Sequence, residues 1–320
     1  MKVSFLGVLE ARRLISRYLI RTPLIHYPLL SGYLGCEAFV KHEHHHPTGA
    51  FKIRGGLNLV ANLSESERAA GVITATRGNH GQSIALASRI FGVRCTIVVP
   101  QGNNPEKDEA VKAFGANLVV HGKDFDEARL KAEELRQETG MRYVHSGNEP
   151  HLIHGVGTYA LEIVEDLPDV DVIFVPIGGG SGATGILTVV RRIAPNVKVI
   201  GVQAENAPAV YRSWKQGKMI QTDSADTIAD GLATRVPFEL PFSILQKQID
   251  EIVTVSEDEL RTAVYQFFRT THQVAEPAAA ATLAAAYKLR SRLKGLKTVL
   301  ILSGCNIASN LLAEILQDRD

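Results

Sequence analysis

The chain has 320 residues, of which 45% are hydrophobic and 22% charged, and its formal net charge is +1. This is globular composition with ample material for a core, and the near-neutral balance argues against nucleic acid or an anionic membrane as partner. Cys36, Cys95 and Cys305 are odd in number, far apart and without metal-ligand spacing, which points to a reducing, cytoplasmic setting. Glu10, Arg12 and Arg13 interrupt the apolar N-terminal run, so no signal peptide is expected. No apolar run reaches the roughly 18 residues of a membrane span.

In chain order, apolar β-rich runs at 37–41, 71–75, 94–99, 117–120, 171–177, 197–203 and 297–302 predict strands. Most are continuous rather than alternating, as in strands buried on both faces of a parallel sheet. Helical patterns fill the gaps at 51–62, 79–91, 104–114, 124–139, 152–165, 182–193, 256–270 and 276–293. Ser256 and Glu259 form a capping box for one of them. The interspersed charges of 124–138 read as a solvated helix face. Strands alternating with helices give an α/β doubly wound fold, which places ligands at the carboxyl ends of its strands.

Four segments carry residues chosen for chemistry rather than packing. In the first, Pro47 and Gly49 mark a turn and Lys52 opens the helix 51–62. A helix N-terminus favours anions, so an amine placed there is helped by being neutral or tied up covalently. The adjacent His44, His45 and His46 point in different directions if they follow ordinary loop geometry; they are expected to line a cleft rather than to bind metal. The second segment, Thr76-Arg77-Gly78-Asn79-His80, follows a strand and opens a helix, where backbone N–H groups make an anion site. The third, Gly178-Gly179-Gly180-Ser181-Gly182 and on to Gly185, is a phosphate cradle at a helix start. Its Gly180, Gly182 and Gly185 also fit a dinucleotide fingerprint, with Glu205 placed 20 residues past Gly185 as the ribose acid. An NAD-dependent dehydrogenase is therefore an alternative, although it leaves the other segments unexplained. The fourth is Ser303, after the last strand, which could be a helix cap or a cofactor contact.

Thr48-Gly49-Ala50-Phe51-Lys52-Ile53-Arg54-Gly55 closely resembles the Schiff-base motif of the fold-type II pyridoxal-phosphate enzymes, the serine/threonine dehydratase and serine racemase group. Asp226 to Leu232 and Glu276-Pro277 look like further signatures of that family, and the resemblance runs from about residue 6 to 317. It implies pyridoxal 5'-phosphate as cofactor. It also implies a larger doubly wound sheet domain, 1–65 and 148–320, with a smaller inserted α/β domain at 66–147. Lys52 would anchor the cofactor and act as base. Phe51 would line the ring, Asn79 would bond its ring oxygen, and Gly178, Gly179, Gly180, Ser181 and Gly182 would cradle its phosphate. Ser303 would face the pyridine nitrogen and leave it neutral, a weaker electron sink that suits prompt loss of a β-leaving group. Thr76, Gly78, Asn79 and His80 would hold the substrate α-carboxylate.

The activity implied is a dehydratase (ammonia-lyase) taking L-threonine or L-serine to a 2-oxo acid and ammonia. Arg77 departs from the racemase pattern, which has serine there. Arginine cannot be deprotonated in a protein, so racemisation is the lesser alternative. Arg77 either clamps a second carboxylate, making 3-hydroxyaspartate the substrate, or turns to solvent. Arg129 is expected at a helix surface. The family's cation site would fall at Gln203 and Ala209, with Glu205 nearby, so that site is expected to be absent. A homodimer is the family expectation.

Overall fold

In the computed structural model, residues 2–318 are described. Ten strands form two sheets: β1 (Leu24–His26), β2 (Glu37–His42), β3 (Val72–Ala75), β4 (Cys95–Val99), β5 (Asn117–Val120), β6 (Arg142–Tyr143), β7 (Val172–Pro176), β8 (Lys198–Ala204), β9 (Glu251–Val255) and β10 (Lys297–Leu302). The larger sheet has the order β1-β2-β10-β7-β8-β9, and the smaller has β5-β4-β3-β6. Only the edge strand β1 is antiparallel to its neighbour; all other pairings are parallel.

The register explains the continuous apolar runs. Along β7, Ile173 and Val175 enter one buried cluster while Val172 and Phe174 enter the other. Successive side chains of a strand alternate between faces, so a sheet covered on both sides needs apolar residues at every position. The alanine-rich helix Pro277–Lys288 is buried nearly all round against the second face. In the smaller sheet, Ile73, Ala75 and Val98 pack on Ala128 and Ala132 of helix Phe125–Thr139. Its other face, including Val72, Ile97 and Val99, joins the main core.

Three strands are absent from the sequence expectation. β1 and β9 are sheet edges and β6 has two residues, so none presents a continuous apolar run. Helices Phe5–Ile15, Pro28–Leu34, Glu65–Ala70, Ala209–Gln216 and Glu239–Gln248 are likewise additional. The Ser256 capping box is present, with Ser256 Oγ accepting from Glu259 N at 3.2 Å and Glu259 Oε2 accepting from Ser256 N at 2.8 Å. Among the described residues no helix is long and apolar enough to cross a membrane, and the three cysteines are unpaired.

Candidate active site

The four segments follow the carboxyl ends of β2, β3, β7 and β10, and all four meet at one cleft of about 890 Å³. Phe51, Lys52, Thr76, Arg77, Gly78, Asn79, His80, Gly178, Gly179, Gly180, Ser181, Gly182 and Ser303 all line it. So do Glu276, Asp230 and His145.

The lysine turn is stitched to the segment after β10. Phe51 N donates to Ser303 O at 3.0 Å and Cys305 N donates to Gly49 O at 2.9 Å. Gly49 has φ +63°, and a Cβ there would come within 2.6 Å of Asn306 Oδ1, so this turn needs glycine. Lys52 then begins helix Lys52–Ala61. Its Nζ donates to Ser181 Oγ at 3.0 Å and to Ser146 O at 3.3 Å. Neither neighbour carries charge, and burial pushes the amine down to about 8. Phe51 meets Tyr159 edge-on at 6.1 Å, and the Tyr159 hydroxyl donates to Gly182 O at 3.1 Å.

The glycine loop joins β7 to helix Ser181–Ile193. A Cβ on Gly178 would sit 2.1 Å from Gly231 O, so no larger residue fits without moving backbone. Thr184 N bonds Gly180 O at 2.9 Å. The amides of Ser181, Gly182 and Ala183 precede it and have no earlier helical turn to bond. They form a positive nest at a helix start, about one hydrogen bond away from Lys52.

On the facing side, Gly78 N donates to Thr76 Oγ1 at 3.1 Å, and helix Asn79–Phe91 follows. Asn79 Nδ2 donates to Glu276 Oε1 at 2.6 Å, while Asn79 Oδ1 accepts from Asn306 Nδ2 at 2.8 Å. These bonds fix the amide orientation and leave one Nδ2 hydrogen free. The His80 ring is buried and burial holds it neutral, with a pKa of about 3. The backbone amides of Asn79 and His80, at the helix start, rather than the ring, are what an anion would meet here.

Glu276, Lys107 and Asp230 make a network that the sequence reveals only in part. Lys107 Nζ bonds Asp230 and lies 3.8 Å from Glu276 Oε2. Burial raises the Glu276 carboxyl to about 7 against the pull of Lys107. In sequence Lys107 stands among charges and resembles a surface residue, and only the tertiary fold buries it. His145 was also missed; its Nδ1 accepts from Gly147 N and Asn148 N, each at 3.0 Å.

Some expectations need correction. Ser303 is no helix cap, because the final helix is Ser309–Gln317 with Ala308 at its N-cap. His44, His45 and His46 do not line the cleft. They cluster beside Gln273, except His46, which lies 3.5 Å from Glu43. Arg77 is exposed at the rim of the cleft and makes no hydrogen bond or ion pair with the described residues. Arg129 borders the same rim, 3.9 Å from Asp126. Gln203 is buried with its amide spent on Ile177 O and Tyr211 N, and Glu205 pairs at the surface with Lys288.

A family model described as pyridoxal-phosphate dependent enzyme matches residues 15–304. The chain belongs to that family. Its cofactor is pyridoxal phosphate, and the dinucleotide reading of the glycine loop falls. The residues fit the group, with an amine that burial lowers to about 8, an amide nest at 181–183 whose flanking Gly178 and Gly179 leave no room for a Cβ, and a buried serine in the same cleft. The chain is 40% identical to an L-threonine ammonia-lyase of Thermotoga maritima over 98% of this chain and 78% of that one. It superposes on threonine deaminase isoform 2 of Solanum lycopersicum with TM-score 0.90 and 32% identity, covering 99% of this chain and 95% of the other. With maize serine racemase the TM-score is 0.93 at 28% identity, covering 99% and 98%.

Proposed function

We propose that this chain is a pyridoxal-phosphate-dependent lyase that takes L-threonine or L-serine to a 2-oxo acid and ammonia. One observation carries the reading: the Lys52 amine, without a carboxylate partner, stands between an amide nest at 181–183 and an anion-binding helix start at 79–80. The ammonia-lyase and deaminase relatives support the same reaction type.

When bound, the cofactor supplies the electron sink for charge left on the substrate α-carbon. Lys52 would be the residue that holds it covalently, and its Nζ, when free, would be the base that takes the α-proton. Thr76 and the amides of Asn79 and His80 hold the α-carboxylate and so orient the bond that breaks. Asn79 would offer its free Nδ2 hydrogen to the ring oxygen, and Phe51 would line the ring. Ser303 would face the ring nitrogen with a hydroxyl, a partner that would leave that nitrogen uncharged and favour elimination over transamination.

A second reading is favoured by Arg77, an exposed cation lining the cleft that pairs with none of the described residues, with Arg129 lining the same cleft. A distal carboxylate would bind there, making 3-hydroxyaspartate the substrate. Racemisation is less well supported, because arginine cannot supply a second base. The division into a larger unit, 1–65 and 148–320, and a smaller one, 66–147, follows the two sheets and belongs to the proposal. So do a cytoplasmic location, supported by the unpaired cysteines, and a homodimer, which sedimentation would test.

The decisive experiment measures 2-oxo acid and ammonia from L-threonine, L-serine and both 3-hydroxyaspartate diastereomers, with Lys52→Ala and Arg77→Ala alongside. Turnover of threonine or serine, lost in Lys52→Ala and kept in Arg77→Ala, is the expected result. Turnover confined to hydroxyaspartate and lost in Arg77→Ala would select the second reading. No elimination from any of the four would sink both.

A further inference from the structure

β2 ends at His42, and the chain then makes a 3-10 turn, Glu43–His45. At about three residues per turn, such a segment lays residue i+3 over residue i. The His42 and His45 rings accordingly stack, 5.0 Å apart and 22° from parallel. His44 closes the group at 5.2 Å from His42 and 4.2 Å from His45. One ring nitrogen from each lies within 4.8 Å of the other two.

The surroundings are those of a ligand set. Gln273 Oε1 lies 3.0 Å from His44 Nε2 and 3.2 Å from His45 Nε2. The buried Nδ1 atoms of His42 and His44 have no hydrogen-bond partner among the described residues. These three rings make no ion pair with the described residues, and the nearby Glu43 is spent on Arg54 and His46. His45 is exposed, which gives an ion a way in.

We propose that His42, His44 and His45 form a binding site for a borderline transition-metal dication, zinc fitting best, with Gln273 Oε1 or water as fourth ligand. Three imidazoles with an open position suit zinc, whereas magnesium and calcium require oxygen ligands. Zn–N bonds of about 2.1 Å in a tetrahedron put ligand nitrogens about 3.4 Å apart. The ring nitrogens now lie within 4.8 Å of one another, so binding an ion would draw these side chains together. The site lies outside the catalytic cleft. It would tie the segment leading to Lys52 to the loop leading through Gln273 to Glu276.

The test uses untagged holoenzyme, stripped with chelator and dialysed against graded Zn²⁺, with bound metal counted by elemental analysis and melting temperature followed in parallel. One zinc per chain and a rise in melting temperature are expected, with no rise in Mg²⁺. His45→Gln, at an exposed position where folding is not at risk, should weaken binding at least tenfold and abolish the rise. His121→Gln, exposed and elsewhere, should match the parent chain. Less than one zinc per chain, or unchanged binding in His45→Gln, would overturn the site.

Discussion

Arg54 lies two residues beyond Lys52 and faces away from the cleft into a closed ionic cluster. Its guanidinium bonds Glu43 at 2.7 and 2.9 Å, Glu162 at 2.7 and 2.8 Å, Thr158 at 3.1 Å and Thr22 at 3.2 Å. Lys41 Nζ completes it, at 2.6 Å from Glu162 Oε2 and 2.7 Å from Thr22 O. Two cations thus balance two carboxylates. Arg54→Met keeps much of the volume but leaves Glu43 with only the Thr22 hydroxyl, at 2.6 Å, and His46, at 3.5 Å. Removing one partner of a buried pair costs about 3–5 kcal/mol, chiefly the penalty of the stranded charge. At about 2 °C per kcal/mol for a chain this long, melting should fall by about 6–10 °C. Burial works to raise the Glu43 carboxyl, and Arg54 overrides it, holding the group well below the usual carboxylate range. Stability from a carboxyl so depressed is present above its unfolded pKa and lost as pH falls toward the folded one, so the variant's deficit should shrink in acid. Arg54→Met with Glu43→Gln removes both charges and should recover most of the loss. The assay is thermal unfolding by circular dichroism at neutral and acid pH. A single variant melting within about 2 °C of the parent, or a double variant as poor as the sum of the singles, would refute the reasoning.

Other expectations follow from the cleft. Gly178→Ala puts a Cβ 2.1 Å from Gly231 O; cofactor affinity, followed by fluorescence titration, should fall at least tenfold, and an unaltered affinity would remove this residue from the cradle. The Lys52 amine, pushed down to about 8, is a proton acceptor only when neutral, so kcat should climb through about pH 8 and level off above it. A flat profile between pH 7 and 9 would show that another group sets the rate. Glu276→Gln keeps a hydrogen-bond acceptor for Asn79 but removes a carboxyl that titrates near 7. Any rate inflection near neutrality should vanish in that variant while its melting temperature stays within a few degrees, and persistence of the inflection would assign it elsewhere.

The larger sheet was readable because its central strands feed two cores at once. A run such as Val172-Ile173-Phe174-Val175 has no polar face to obscure it, whereas β1, β6 and β9 lie at edges or are too short. The glycine loop was readable because Gly231 O and the side chain of Phe238 crowd Gly178 and Gly179 so closely that no Cβ fits. The partners of Lys107 were hidden for the opposite reason. Asp230 and Glu276 are distant in sequence, and nothing local separates a buried ammonium from a solvated one. The histidines were misplaced because the 3-10 turn at Glu43–His45 carries His44 and His45 toward Gln273 rather than into the cleft.

Arg54 shows how the two kinds of information combine. Its place in the Lys52 motif is visible in sequence, but its reason is not. Residues two apart on a helix point about 200° from one another, so a helix that aims Lys52 into the cleft must aim Arg54 into the core. There the Glu43 and Glu162 carboxylates hold the first turn from behind. The ion cluster thus sets the position from which the Lys52 amine reaches Ser181, and a cation buried at that depth is tolerated only because both carboxylates meet it.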